Sequence, residues 1–202
     1  MSILIKSILI YFLASIIGFF LADYFSWPKW IVLIFMFIAF VYMLCEMLNI
    51  MYGTKDMKKV ERFLKSKLKE PIYAFVYAQA IKSKDEQLRI IEEILKKYPQ
   101  KYIHHNYRFV RDMLNNDYLN ALNEAEQIGK EPFMSYSKAL VFATQNNREQ
   151  ALSFHLSKLW MREAIHATLA KAEENHNDYI KHKEKAIEAA RGIQRFGLIH
   201  SL

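Results

Sequence analysis

The chain reads as all-α, with two apolar helices at the front and a series of helix pairs behind them. Three observations predict this. No stretch alternates apolar and polar residues with the period of two that a half-buried strand needs. No charged residue occurs between Ser7 and Ala22, nor between Trp30 and Cys45. The phrase Asn115-Asn116-Asp117-Tyr118-Leu119-Asn120-Ala121-Leu122 returns as Asn146-Asn147-Arg148-Glu149-Gln150-Ala151-Leu152 and again as Asn177-Asp178-Tyr179.

The two uncharged segments, with their flanks, cover residues 3–22 and 30–52, and each is long enough for a hydrocarbon core of about 30 Å. Neither has a polar face, as a helix surrounded by lipid or deeply buried protein would not. A cleaved signal peptide fits less well, because no small-x-small site precedes Asp23 and a second apolar segment follows at once. Between the segments, Asp23-Tyr24-Phe25-Ser26-Trp27-Pro28-Lys29 supplies a Pro-containing turn with aromatics at the interface level. Residues 1–54 are therefore expected to form a two-helix transmembrane hairpin. Lys6 and Glu46 fall at similar depth near its open end, where they can pair or reach the interface.

Basic residues cluster directly after the hairpin: Lys55, Lys58, Lys59, Arg62, Lys65, Lys67 and Lys69. With Asp56 and Glu61 they give residues 55–69 a net charge of +5, out of +7 for the 202-residue chain. The short loop offers only Lys29, so the basic bias puts both termini on the cytoplasmic side of a cell membrane. Val60, Phe63, Leu64 and Leu68 recur at helical spacing, making residues 55–70 a basic amphipathic helix. Its charged face suits anionic lipid headgroups, and its apolar face can lie on the membrane or cap the first helix pair. Positive charge beside a membrane already has a partner, so nucleic acid is not expected as one. The single cysteine, Cys45, excludes an intrachain disulfide and fits a reducing compartment.

Residues 71–202 are expected to form the cytoplasmic domain. Pro71 suits a first helical turn; Ile72, Ala74, Phe75, Ala78 and Ile81 then share a face opposite Leu88, Ile90, Ile91, Ile94 and Leu95, and Pro99 closes the pair. The second pair carries Tyr102, Ile103, Tyr107, Val110 and Leu114, then Leu119, Leu122, Ala125 and Ile128, and stops at Gly129 before Pro132. A third pair starts at Phe133 and continues from Arg148 to Leu156. A fourth runs from Trp160 to Glu174 and from Asp178 to about Arg191, with order ending around Gly192 and Gly197.

Each recurring Asn/Asp phrase reads as a turn and a helix start, since these residues tolerate left-handed backbone and cap free amides. The steps from Asp117 to Asn147 to Asp178 are 30 and 31 residues, the period of a helical repeat. On Asp117-Tyr118-x-x-Ala121-Leu122 the sequence resembles a tetratricopeptide repeat, in which a turn, an aromatic and a small residue open the second helix. The resemblance covers residues 71–191. It implies an α-solenoid of about four helix pairs. His182 stands where the last repeat should have Ala, and the usual Trp and Leu-Gly of the first helix are missing, which keeps another kind of α-solenoid open.

For chemistry, the candidates are Glu163-x-x-His166 and Glu173-x-x-His176, the spacing used by di-iron bundles. Both copies lie on one helix, ten residues and so about 80° apart, and cannot converge on one metal pair. The histidines lack zinc spacing, and glycine-rich phosphate loops and nucleophile elbows are absent. No cofactor or metal is expected, nor an enzymatic activity. The inner helices of stacked pairs offer a concave surface instead, with Tyr73, Tyr77, His105, Tyr107, Arg108, Arg111, Tyr136, Lys138, Arg162 and His166 as candidate partner-binding residues.

The expectation is thus a membrane-anchored scaffold or adaptor that recruits or regulates a protein partner, itself membrane-associated, with homo-oligomerisation left open. Bacterial inner-membrane proteins with cytoplasmic tetratricopeptide domains are similar in plan, and act as assembly factors or regulators. The alternatives are an accessory subunit of a transporter or protease bound through the hairpin, and a metal-dependent enzyme.

Overall fold

The computed structural model describes residues 3–24 and 28–202; the side chains of residues 3–11, 15, 21 and 29 are not among those described. The Lys6–Glu46 pairing and the centre of the 23–29 turn lie outside that set. Among the described residues every regular element is a helix.

Helix α1 (Ile3–Tyr24) lies against α2 (Lys29–Leu48), which continues through a π-helical turn, Asn49–Gly53. From Trp30 to Gly53 the helix is 24 residues long; its most apolar 18-residue stretch has a mean hydropathy of 2.6, and almost none of that stretch is buried. At 1.5 Å per residue it measures about 36 Å, so it is long and apolar enough to cross a bilayer. Then come α3 (Met57–Ser66), α4 (Pro71–Ile81), α5 (Lys84–Lys97), α6 (Lys101–Leu114), α7 (Tyr118–Gln127), α8 (Phe133–Thr144), α9 (Arg148–Ser153), α10 (Leu159–Ala172), α11 (His176–Ala189) and α12 (Gly192–Ser201).

Asp56 caps α3, accepting from the amides of Lys58 and Lys59. Its stripe Val60, Phe63 and Leu64 faces inward against Tyr73, Val76, Tyr77 and Phe196. Of the two uses foreseen for this stripe, these three residues adopt the packed one; Leu68, expected to share it, lies beyond the end of α3 at Ser66 and is exposed. From α4 onward each helix packs on the next, and α8 also packs on α10. Apolar clusters follow in succession: Phe75, Ile91 and Ile94; then Phe109, Ala121 and Val141; then Met161, Ile165 and Leu169.

Three of the connections are the same turn. After α6, α8 and α10 a residue takes left-handed backbone: Asn116 (φ 57°), Asn146 (φ 58°) and Glu174 (φ 57°). The next amide reaches back to the same helix position each time, Asp117 N to Asp112 O (2.9 Å), Asn147 N to Phe142 O (2.8 Å) and Asn175 N to Ala170 O (2.8 Å). The preceding amides bond Met113, Ala143 and Lys171, completing a Schellman motif. Asp117, Asn147 and Asn175 then cap the following helix, accepting from the amides of Asn120, Gln150 and Asp178.

This corrects the third phrase. Its cap is Asn175, not Asp178, which is the residue whose amide the cap receives. The caps are spaced by 30 and then 28 residues. Ala121 and Ala151 sit fully buried four residues after their caps; the third turn has half-buried Tyr179 there, so His182 does not occupy the small-residue position.

Two further boundaries differ. α9 stops at Ser153 rather than reaching Leu156, because Phe154 turns extended and stacks on Phe142 at 6.1 Å while Leu156 enters the core. Arg162 Nη1 donates to the carbonyls of Leu156 (2.8 Å) and Ser157 (3.3 Å), satisfying oxygens that the helix leaves free. The C-terminal segment also does not end in loose order: it forms α12, which packs on α3, α4 and the π turn. Leu198 joins the core of α8–α11 and Phe196 that of α3 and α4, so α12 ties the last helix pair to the first.

Candidate functional site

That closure makes a cleft. Its walls are the π turn (Met51, Tyr52), α4 (Ile72, Tyr73, Val76, Gln79), Phe133 at the start of α8, Lys158 and Trp160 at the start of α10, and α12 with its leading residue (Arg191, Ile193, Gln194, Gly197). The volume is about 860 Å³, within the range of about 300–1,000 Å³ for small-molecule sites. Met51 and Tyr52 are the last residues of the long apolar helix before Gly53, so the cleft begins where that helix ends.

Gly192 lets the walls meet. Its φ is +54°, its amide donates to Thr54 O at 2.8 Å, and an added Cβ would fall 2.0 Å from Met51 O. Backbone therefore touches backbone where α12 meets the π turn. Lys55 pairs with Glu188 beside this junction. Hydrogen bonding to Lys55, and its charge, hold the Glu188 carboxyl below the ordinary carboxylate value.

The polar groups of the cleft fall into two sets. Glu70 is spoken for: Lys97 Nζ donates to it at 2.8 Å and the Tyr98 hydroxyl at 2.9 Å, and these bonds lower its pKa. The cations are freer. Lys158 Nζ lies over the Phe133 ring, 5.3 Å from its centroid, and has no carboxylate partner among the described residues. Arg191 uses only Nη1, donating to the carbonyls of Glu188 (2.6 Å) and Ala190 (2.9 Å).

Of the residues that sequence put on a partner surface, Tyr73 alone lines this cleft. Its ring meets Phe63 edge-on at 5.4 Å, and burial first of all raises its hydroxyl pKa. Tyr77 lies in the α3–α4 core under Lys65. Tyr107 and Tyr136 pack edge-on against Phe75 (5.5 Å) and Trp160 (5.1 Å), and burial pushes both phenols far up. His105 Nδ1 is 2.7 Å from Glu124, which Arg108 approaches at 3.8 Å. Arg111 holds buried Asp112 at 2.9 Å, and Lys138 holds Glu126 at 3.0 Å. Arg162 is bound to the α9–α10 carbonyls. His166 stacks on His182 with centroids 4.9 Å apart; burial, then the neighbouring His182, lowers its pKa.

The Glu-x-x-His pairs are likewise engaged elsewhere. Glu163 meets His182 at 2.6 Å, and Glu173 takes a two-point bond from Arg148, 2.8 Å on each arm. No group of three residues able to hold a metal occurs among the described residues. On α3, Lys65 pairs with Glu61 at 2.8 Å, while Lys58, Lys59 and Arg62, and Lys69 beyond its end, are exposed without an acidic partner among the described residues; Lys67 sits at the helix end.

Phe133, Lys158, Trp160, Arg191 and Ile193 were missed from sequence as site residues. Only Phe133 and Trp160 carried a signal, as apolar residues opening two of the inner helices. No protein-family model matches this sequence, and neither does any curated protein or solved structure.

Proposed function

We propose that the protein is a membrane-anchored scaffold. In this reading α1 and α2 form a two-span hairpin, both termini lie in the cytoplasm, α3 is the basic juxtamembrane helix, and α4–α12 (residues 71–202) form a tetratricopeptide-like repeat domain that recruits or regulates a membrane-associated partner protein. The mechanism is localisation: a tethered domain raises the effective concentration of what it binds, without bond making. The observation that carries the reading is the two-sided character of α2. Its length leaves aromatic and aliphatic side chains uncovered, while its final turn is built into the core through Met47, Ile50 and Met51. A soluble protein has no use for so long an uncovered apolar surface, and lipid supplies the cover. The cations Lys58, Lys59, Arg62 and Lys69, close behind the helix end and without an acidic partner among the described residues, add support through attraction to anionic headgroups.

The test is in-cell crosslinking with mass spectrometry, comparing the intact chain with one whose residues 3–46 are exchanged for a foreign hairpin. The exchange stops at 46 because Met47 onward packs in the domain. Recovery of one partner from both chains is the expected result. A partner lost from a chain that remains folded and membrane-bound would move recognition into the bilayer and make the protein an accessory subunit of a membrane complex.

A further inference from the structure

The cleft has a composition that the scaffold reading leaves unused. Met51, Ile72, Val76, Phe133, Trp160 and Ile193 give it an apolar wall, and Lys158 and Arg191 bring two cations to the same space. Apolar walls with a few convergent charges describe a site for an amphiphile. The charge sign specifies the head: Glu70 is neutralised by Lys97, whereas Lys158 has no counter-ion among the described residues and Arg191 keeps Nε and Nη2 uncommitted. A guanidinium and an ammonium together suit a phosphate.

Position supplies the source. Tyr52 and Met51 are both the end of the apolar helix and a wall of the cleft, so a chain leaving the bilayer beside α2 enters without crossing open water. We propose that the cleft binds an anionic phospholipid of the adjacent bilayer, one acyl chain against Val76, Phe133 and Trp160 and the phosphate between Lys158 and Arg191. This site is separate from the basic face of α3, and its ligand source rests on the membrane anchoring proposed above.

Trp160 reports on occupancy. The full chain carrying Trp27→Phe and Trp30→Phe keeps Trp160 as its one tryptophan. In nonionic detergent micelles, dibrominated phosphatidylglycerol is expected to quench it saturably, and unbrominated phosphatidylglycerol to reverse this. Dibrominated phosphatidylcholine should need about tenfold more lipid, the scale of one charge-assisted contact. Lys158→Gln should narrow that preference. Val76→Trp, made in a Trp160→Phe background and read by competition with a fluorescent phosphatidylglycerol, should reduce binding of both lipids while circular dichroism stays unchanged.

Quenching that never saturates, or that is equal for the two lipids, overturns the proposal. So does a photo-reactive residue at position 76 that captures protein rather than lipid in cells. The micelle experiment does not require α2 to span anything. Membrane retention without quenching sinks the cleft assignment alone, whereas quenching without membrane retention sinks the anchor and with it the bilayer as source.

Discussion

Helices α2 and α4 are both apolar, and the protein treats them in opposite ways. α4 spans only Pro71–Ile81, about 16 Å of helix, too short for a bilayer. It buries Phe75 and Ala78 under α5 and α6, while Tyr73, Val76 and Tyr77 pack with α3 and α12. α2 leaves Phe35, Phe37 and Phe40 mostly exposed, with α1 and its own final turn as the main contacts. The difference teaches that apolar composition does not assign a helix to core or membrane; length and the supply of covering neighbours do. α12 touches α4 and the π turn that ends the long apolar helix, which makes it the joint between the covered helix and the uncovered one.

The widest contrast comes from truncating one phenylalanine in each helix. Phe75→Ala should destabilise the domain by about 4 kcal/mol, since the ring is buried against Tyr107. Phe35→Ala, whose ring is 67% exposed, should leave chemical denaturation of the domain in detergent within about 0.5 kcal/mol. Equal losses would mean that α2 is a core helix. The joint itself is tested by Gly192→Ala. A side chain at φ +54° facing Met51 backbone combines left-handed strain with overpacking, about 3 kcal/mol together, and α12 should become the first site of proteolytic cleavage.

Smaller effects separate the repeated turns from their surroundings. Asp117→Ala, Asn147→Ala and Asn175→Ala should each cost about 1 kcal/mol by denaturant titration, and by similar amounts, because the three caps make the same bond. A pH effect is centred on His166. Its folded pKa lies below the ordinary 6.5, so between the two values the unfolded chain holds more protons. Stability is therefore lost as pH falls through 6.5 towards the folded pKa, and His166→Gln should blunt that loss in melts run across this window. Least of all, Gly18→Ala should be nearly silent, because its Cβ would meet Val32 at an ordinary 3.5 Å.

The turns were legible in sequence because Asn and Asp announce both left-handed backbone and helix caps. Even there, Glu174 in the left-handed position hid the third cap and shifted it by three residues. The inward stripe of α3 was also legible, from Val60, Phe63 and Leu64. The cleft was not, since its walls come from residues as distant as Met51, Val76, Phe133, Trp160 and Ile193, joined only when α12 folds back. Gly192 read as an end to order, yet its freedom is what permits that return. Most of the tyrosines and arginines placed on a concave surface instead found partners on neighbouring helices, Tyr107 on Phe75, Tyr136 on Trp160 and Arg108 near Glu124, because a side chain long enough to reach a ligand is also long enough to reach the next helix.

The central claim is that α2 crosses a membrane, and Cys45, the only cysteine, lies within it. In native membranes a water-soluble maleimide should leave Cys45 unlabelled until the bilayer is dissolved, while a control chain carrying Cys45→Ser and Lys58→Cys is labelled once both membrane faces are accessible. Labelling of Cys45 in intact membranes as fast as the control, or recovery of the chain in the soluble fraction, would contradict the account.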